Sequence, residues 1–263
     1  MNTVARLRSN AARTASRWRR AFASLRTEPE GERFVILAQG RTGSTLLTQL
    51  VGSHPQIVCD GEIFAPRRFG RIRNDDRHLR GSINMVATRG AYYGFKVKPY
   101  ELEHHGLDVR TFLERRVADG WAVIHLSRSN FIRHALSTIM LEQDNARRAI
   151  GASTPEAGTY RIDPAYLIQN ALNRREWLRK EGLALDGIEH YAITYERHLV
   201  APDEHQGTAD GIFTWLQLPS SPVQTRTSRQ NPDDLSTMIA NYDELLEVVE
   251  ASEFAGMLAA TAR

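Results

Sequence analysis

The chain has one cysteine, Cys59, among 263 residues. No intrachain disulfide can form and no cysteine cluster can cage a metal; a lone thiol of this kind is expected to pack as a small hydrophobe. Long apolar runs are missing as well. No stretch approaches the roughly 18 uncharged residues that cross a bilayer, and the N-terminus lacks the apolar core of a secretory signal. These absences predict a cytoplasmic protein, one that can still sit at the inner membrane surface. Acidic residues are absent from positions 1–26, which hold seven arginines. The remainder carries 27 basic against 31 acidic side chains, so the net charge of +3 belongs to the tail. A nucleic-acid footprint over the whole fold is therefore not expected. The histidines form no metal pattern either, and "ELEHH" at 101–105 is predicted to be a solvated face.

What is present is the balance of a soluble globular protein, 41% apolar and 25% charged, in a length that suits one large domain. That domain is placed at 31–263, after a basic amphipathic helix or tail at 1–30. In the tail Val4, Leu7, Ala11, Trp18, Ala21 and Leu25 recur at helical spacing with arginines between them. Such a stripe is expected to pack on the protein's own body or on a second copy in a homodimer. A peripheral membrane contact is the next reading, and a disordered tail or a transit peptide the last. "EPEGE" at 28–32 marks the boundary.

Beyond it, short runs rich in Val and Ile alternate with longer helical patterns. They predict strands at 33–38, 94–98, 121–127 and 190–195, and helices at 44–53, 108–118, 130–146, 163–181, 209–217 and 233–250. The alternation implies an α/β fold with a central, mostly parallel sheet flanked by helices. Segments 67–81 and 147–160 lack clear periodicity and are expected to be long connections of the kind that cover a site.

"RFVILA" followed by "QGRTGSTLL" has the form of strand, glycine-rich turn and helix. Gly40 and Gly43 let the backbone curl so that successive N–H groups point into one concavity, and the helix adds the positive end of its dipole. An anion such as phosphate or sulfate is expected there, in a P-loop-like three-layer fold. Against the nucleotide-binding pattern G-x-x-x-x-G-K-[ST], Ala38 takes the first glycine, Gly43 the second, Ser44 the lysine and Thr45 the Ser/Thr. The lysine that reaches the terminal phosphates is missing. The strand "WAVIHLS" then leads into Arg128, with no Asp at its end to hold magnesium. A degenerate kinase or NTPase remains an alternative, as does a non-enzymatic membrane-surface adaptor led by the arginine tail. The cradle favours an anionic donor that needs no metal.

At this point the residues carry a family likeness. "RTGSTLLTQLVGSHPQIVCDGEIF" resembles the 5′-phosphosulfate loop of sulfotransferases that use 3′-phosphoadenosine 5′-phosphosulfate (PAPS), and "VIHLSRSNFIRHALS" resembles their 3′-phosphate motif. "AITYERHL", "WLQLP" and "TSRQNPDDLSTMIANYDEL" follow the same family's C-terminal pattern, so the likeness runs from about 33 to 250. It is nearest to the bacterial carbohydrate sulfotransferases of the trehalose 2-sulfotransferase and nodulation-factor type, and more distant from the tyrosylprotein sulfotransferases. The resemblance implies a PAPS-dependent enzyme without a metal, acting on a hydroxyl of a carbohydrate or glycolipid.

It also implies roles. Arg41, Thr42, Gly43, Ser44, Thr45 and Leu46 would surround the 5′-phosphosulfate, and Arg128 with Ser137 would hold the 3′-phosphate. The spacing of those two is nine residues, against eight in cytosolic relatives. Lys96, preferred to Lys98 on the same strand face, would stabilise the leaving oxygen. Glu62 in "CDGEIF" would be the general base, with Asp60 as competitor. Tyr195 would lie near the adenine, and Arg229 would close over the nucleotide. His54 is expected to pack around the loop. The residues themselves agree in one respect: the 39–45 turn, Lys96 and Arg128 all fall at carboxyl ends of predicted strands, where parallel sheets bind ligands. Segments 65–92 and 147–170 are expected to shape the acceptor pocket.

Overall fold

A computed structural model describes residues 19–20, 22–27, 31–86, 92–149, 160–225 and 234–259. Its centre is one five-stranded sheet of β1 (Arg33–Ala38), β2 (Ile57–Glu62), β3 (Tyr92–Val97), β4 (Ala122–Ser127) and β5 (Tyr191–Thr194). The order is β2-β3-β1-β4-β5 and every pairing is parallel. Side chains alternate across each strand, so the apolar run of β1 feeds two cores. Val35 and Leu37 join Phe95, Phe112 and Trp121 on one face. Phe34 and Ile36 join Leu47, Ile212 and Phe213 on the other.

Ten helices surround the sheet among the described residues: α1 (Ser44–Val51), α2 (Pro66–Phe69), α3 (Asp75–Val86), α4 (Pro99–His105), α5 (Val109–Ala118), α6 (Phe131–Ala149), α7 (Pro164–Leu185), α8 (Tyr195–His198), α9 (Glu204–Trp215) and α10 (Tyr242–Glu250). α3, α4 and α5 cover the first face through Leu79, Leu102 and Leu113. α1 and α9 cover the second. A third core joins α6, α7 and α10 through Leu136, Leu167 and Leu245.

The expected α/β architecture is present, and the differences from it have physical causes. β2 is an edge strand whose apolar content stops after Val58, so it carries no strand-like run. α3 occupies part of what looked like a long connection, because Gly81, Ser82 and Asp75 supply part of its buried face. "ELEHH" is not a solvated face. Glu101 and His105 are buried on α4, where Glu101 lies 3.1 Å from Lys98 Nζ and His105 Nε2 donates to the Phe64 carbonyl at 2.7 Å. The last helix starts only at Tyr242, since Asn241 turns inward to bond both the N–H (3.0 Å) and the C=O (2.8 Å) of Ile162.

The described residues 19–20 and 22–27 pack on α3. Arg20 Nε donates to Ser82 Oγ at 2.9 Å, and Asn84 Nδ2 donates to the carbonyls of Ala23 and Arg26 at 3.0 and 3.1 Å. Leu25, assigned to the packing stripe, instead faces solvent, and Arg20, Ala23 and Ser24 make the contact. The stripe's other members lie outside the described residues. Among the described residues no helix is long and apolar enough to cross a membrane.

Candidate active site

After β1 the chain crosses to β2 at one edge, and after β4 it crosses to β5 at the other. The carboxyl ends of β1 and β4 therefore part, opening the crevice where parallel sheets hold ligands. The turn at 39–43 fills its mouth. Arg41 has φ 69° and Gly43 φ 82°, both left-handed, a conformation that costs energy at Arg41 unless neighbours fix it. They do. Gly40 N–H donates to Tyr100 Oη at 2.9 Å, and Arg128 Nη1 donates to the Arg41 carbonyl at 3.0 Å. Thr42 Oγ1 donates to the Gln39 carbonyl at 2.7 Å. His134 Nε2 lies 2.7 Å from the Gly40 carbonyl, which can only accept, so the proton sits on Nε2. Burial, then the charges of Arg128 and Arg174, push this imidazole down to about 3, and it stays neutral. Gly43 offers no side chain to cap α1, which leaves first-turn N–H groups turned toward the crevice.

A charged row lies beside this turn. β2 shifts register between Asp60 and Glu62, bringing Glu62 opposite Lys96 of β3. Lys96 Nζ donates to Thr45 Oγ1 at 2.9 Å, sits 3.5 Å from Ser44 Oγ and 3.4 Å from Glu62 Oε1. Lys98 Nζ lies 2.9 Å from Glu62 Oε2. Burial alone would raise the Glu62 carboxyl, but the hydrogen bond and charge of Lys98, and then Lys96, hold it below the usual carboxylate value. Burial lowers Lys96 against the pull of Glu62. Burial also acts to lower Lys98, yet Glu101 and Glu62 leave it raised.

On the other side of the turn, Arg41 Nε donates to Ser137 Oγ on α6 at 3.0 Å, and burial lowers the Arg41 guanidinium. Arg128 stacks 4.6 Å over the Tyr195 ring with its Nε 3.5 Å from Glu196. The same ring backs Gly43. Glu196 also accepts from Ser129 N–H and Asn130 N–H at 3.0 and 3.1 Å, pinning the start of α6.

Most of the residues singled out from the sequence thus converge: Arg41 to Thr45, Glu62, Lys96, Lys98, Arg128, Ser137 and Tyr195. Ser137 meets the side chain of Arg41, and Arg128 meets that residue's backbone. Leu46, in the first turn of α1, is half-buried with its side chain packed against the second core. Asp60 accepts from Tyr93 Oη at 3.1 Å and stands apart from the row. His54 bonds the Gln56 N–H and lies 3.2 Å from the Pro219 carbonyl, a packing role. Cys59 is half-buried, and desolvation pushes its thiol up to about 12. Arg229 lies outside the described residues. Sequence reasoning missed Tyr100, His134, Glu101 and Glu196. Only Glu196 had a signal, as the partner of Tyr195 in the quoted "YE".

The arrangement gathers four cations, Arg41, Lys96, Lys98 and Arg128, with the carboxylates Glu62, Glu101 and Glu196 and a row of N–H groups. It can hold a multiply charged anion next to a proton acceptor. Among the described residues no group of three or more His, Cys, Asp or Glu could hold a metal ion. No protein-family model matches the sequence, and no curated protein is significantly similar to it. Among solved structures, the chain is similar to the crystal structure of a sulfotransferase from Alicyclobacillus acidocaldarius, with 14% identity, 86% of this chain and 96% of that chain covered, and a TM-score of 0.49.

Proposed function

We propose that this chain is a sulfotransferase that moves the sulfuryl group of PAPS to a hydroxyl of a carbohydrate or glycolipid. The observation that carries the reading is the contact of Lys96 with both Glu62 and Thr45, at 3.4 and 2.9 Å, which puts a proton acceptor and a cation at the lip of an anion cradle. Sulfuryl transfer needs little more than in-line placement and neutralised charge. Glu62 takes the acceptor's proton as the new O–S bond forms and the bridging S–O bond breaks. Lys96 meets the charge on the departing phosphate oxygen. Arg41 and the α1 N–H groups hold the sulfuryl and 5′-phosphate oxygens, Arg128 and Ser137 the 3′-phosphate, and Tyr195 the adenine.

Calorimetric titration with 3′-phosphoadenosine 5′-phosphate in the absence of magnesium is expected to give binding. Glu62→Gln should keep that affinity while transfer from PAPS falls by about two orders of magnitude or more. Tight binding of Mg-ATP with none of the bisphosphate would refute the reading in favour of a nucleotide kinase. Mass spectrometry of polar metabolites and glycolipids incubated with enzyme and labelled PAPS identifies the acceptor.

A further inference from the structure

The amino-terminal end of the sheet, opposite the cradle, carries a second site. A cavity of about 870 Å³ opens where Arg33 begins β1 and Trp121 precedes β4. Its floor is apolar, made by the buried Leu79, Ile83 and Trp121. Its rim is basic, with Arg26, Arg33, Arg80 and Arg115. Its lining holds five arginines against two acids, Asp76 and Asp119, which are engaged by Arg115 and Arg116. Beside it residues 22–27 present an outward apolar face. Phe22 and Leu25 are 67% and 74% exposed, the highest values for large apolar side chains among the described residues. Met85 and Val86, also exposed, end α3 next to the Asn84 that ties this segment down.

A hydrophobic face ringed by arginines and directly preceded by residues rich in arginine without acid matches an interface that is oily within and negative at its surface. A second copy of the chain would set arginine against arginine. We propose that this face docks on an anionic phospholipid bilayer, with lipid phosphates in the arginine-rimmed cavity and Phe22 and Leu25 entering the interfacial layer. The inference does not depend on the reaction assigned to the cradle, which lies at the other end of the strands.

Sedimentation with vesicles tests it. The intact chain is expected to pellet with phosphatidylcholine vesicles containing about a quarter phosphatidylglycerol at low salt, to stay in solution with pure phosphatidylcholine, and to be released by added salt. Phe22→Ser with Leu25→Ser keeps every arginine and removes only exposed side chains, so the fold should survive; the bound fraction is expected to fall about tenfold or more. Arg26→Glu with Arg80→Glu should act in the same direction, with melting temperature as the check on folding. Three results would overturn the proposal. The intact chain could ignore anionic vesicles, or the serine variant could bind as the intact chain does, leaving basic charge alone responsible. Inorganic phosphate could also raise the melting temperature through Arg26 and Arg80 without any vesicle binding, making the cavity a site for soluble anions.

Discussion

Gly43→Ala is the most informative single change at the cradle. At φ 82° an alanine must adopt the left-handed region, at a cost of about 1 kcal/mol relative to glycine. The added Cβ would also stand 2.7 and 2.9 Å from Cδ2 and Cε2 of Tyr195, and 3.2 Å from Leu199. Tyr195 cannot simply swing away, because Arg128 stacks on its ring and its neighbour Glu196 holds the start of α6. Overpacking of that kind costs about 1–3 kcal/mol, so the total is about 2–4 kcal/mol, or roughly 4–16 °C in melting temperature for a chain of this size. Calorimetry and bisphosphate titration both read the change, since the distorted turn also loses its aligned N–H groups. Adding Tyr195→Ala should restore the overpacking part of the Gly43→Ala cost in a double-mutant cycle, leaving only the backbone part of about 1 kcal/mol. Gly182→Ala in α7, where a new Cβ meets nothing within 4 Å, serves as the control and should stabilise by about 0.5–1 kcal/mol. Unchanged melting and anion affinity in Gly43→Ala would refute the left-handed turn and its contact with Tyr195.

Other outcomes follow from the same geometry. Tyr100→Phe removes the acceptor of the Gly40 N–H and should cost about 1–2 kcal/mol in thermal unfolding, with weaker bisphosphate binding. Arg128→Ala should lower bisphosphate affinity about tenfold to a hundredfold in titration calorimetry, while leaving the protonation of Glu62 alone. Glu62 has its carboxyl held below the ordinary 4.5 in the free protein, so the acid limb of kcat/KM, which reports the free enzyme, should lie below that pH, while that of kcat should lie higher. The stability contributed by its lysine contacts is fully present above the unfolded value and is lost as pH falls through the lower folded value. Melting curves of the wild-type chain should show that acid-side loss, and Glu62→Gln should show less of it.

Three of the four legible strands, β1, β3 and β4, lie inside the sheet; the fourth, β5, is an edge strand that the run "HYAITY" still gave away. "FVIL" in β1 is an unbroken apolar run, and "AVIHL" in β4 is broken only by His125, because helices cover both sides of the sheet. β2 was hidden for the converse reason: it is an edge strand with polar residues from Asp60 onward. Its register shift, which aims Glu62 at Lys96, has no local signature at all. α3 escaped because part of its buried surface is polar, with Ser82 receiving a hydrogen bond from Arg20, 62 residues earlier. At the cradle, glycine spacing and strand ends were enough to group Arg41, Lys96 and Arg128. Their supports were not visible, because Tyr100 and His134 act through single contacts with Gly40 that only the tertiary fold creates.

The row from Lys96 through Glu62 to Lys98 behaves as a competition for cations. In the structure Glu62 shares both ammonium groups, and that sharing keeps it a poor proton acceptor. Any dianion settling at Thr45 bids for Lys96, and every part of that ammonium's attention it captures is withdrawn from the carboxylate. Glu62 then gains basicity as the crevice fills, so in the proposed reaction the arrival of the donor arms the group assigned to the acceptor.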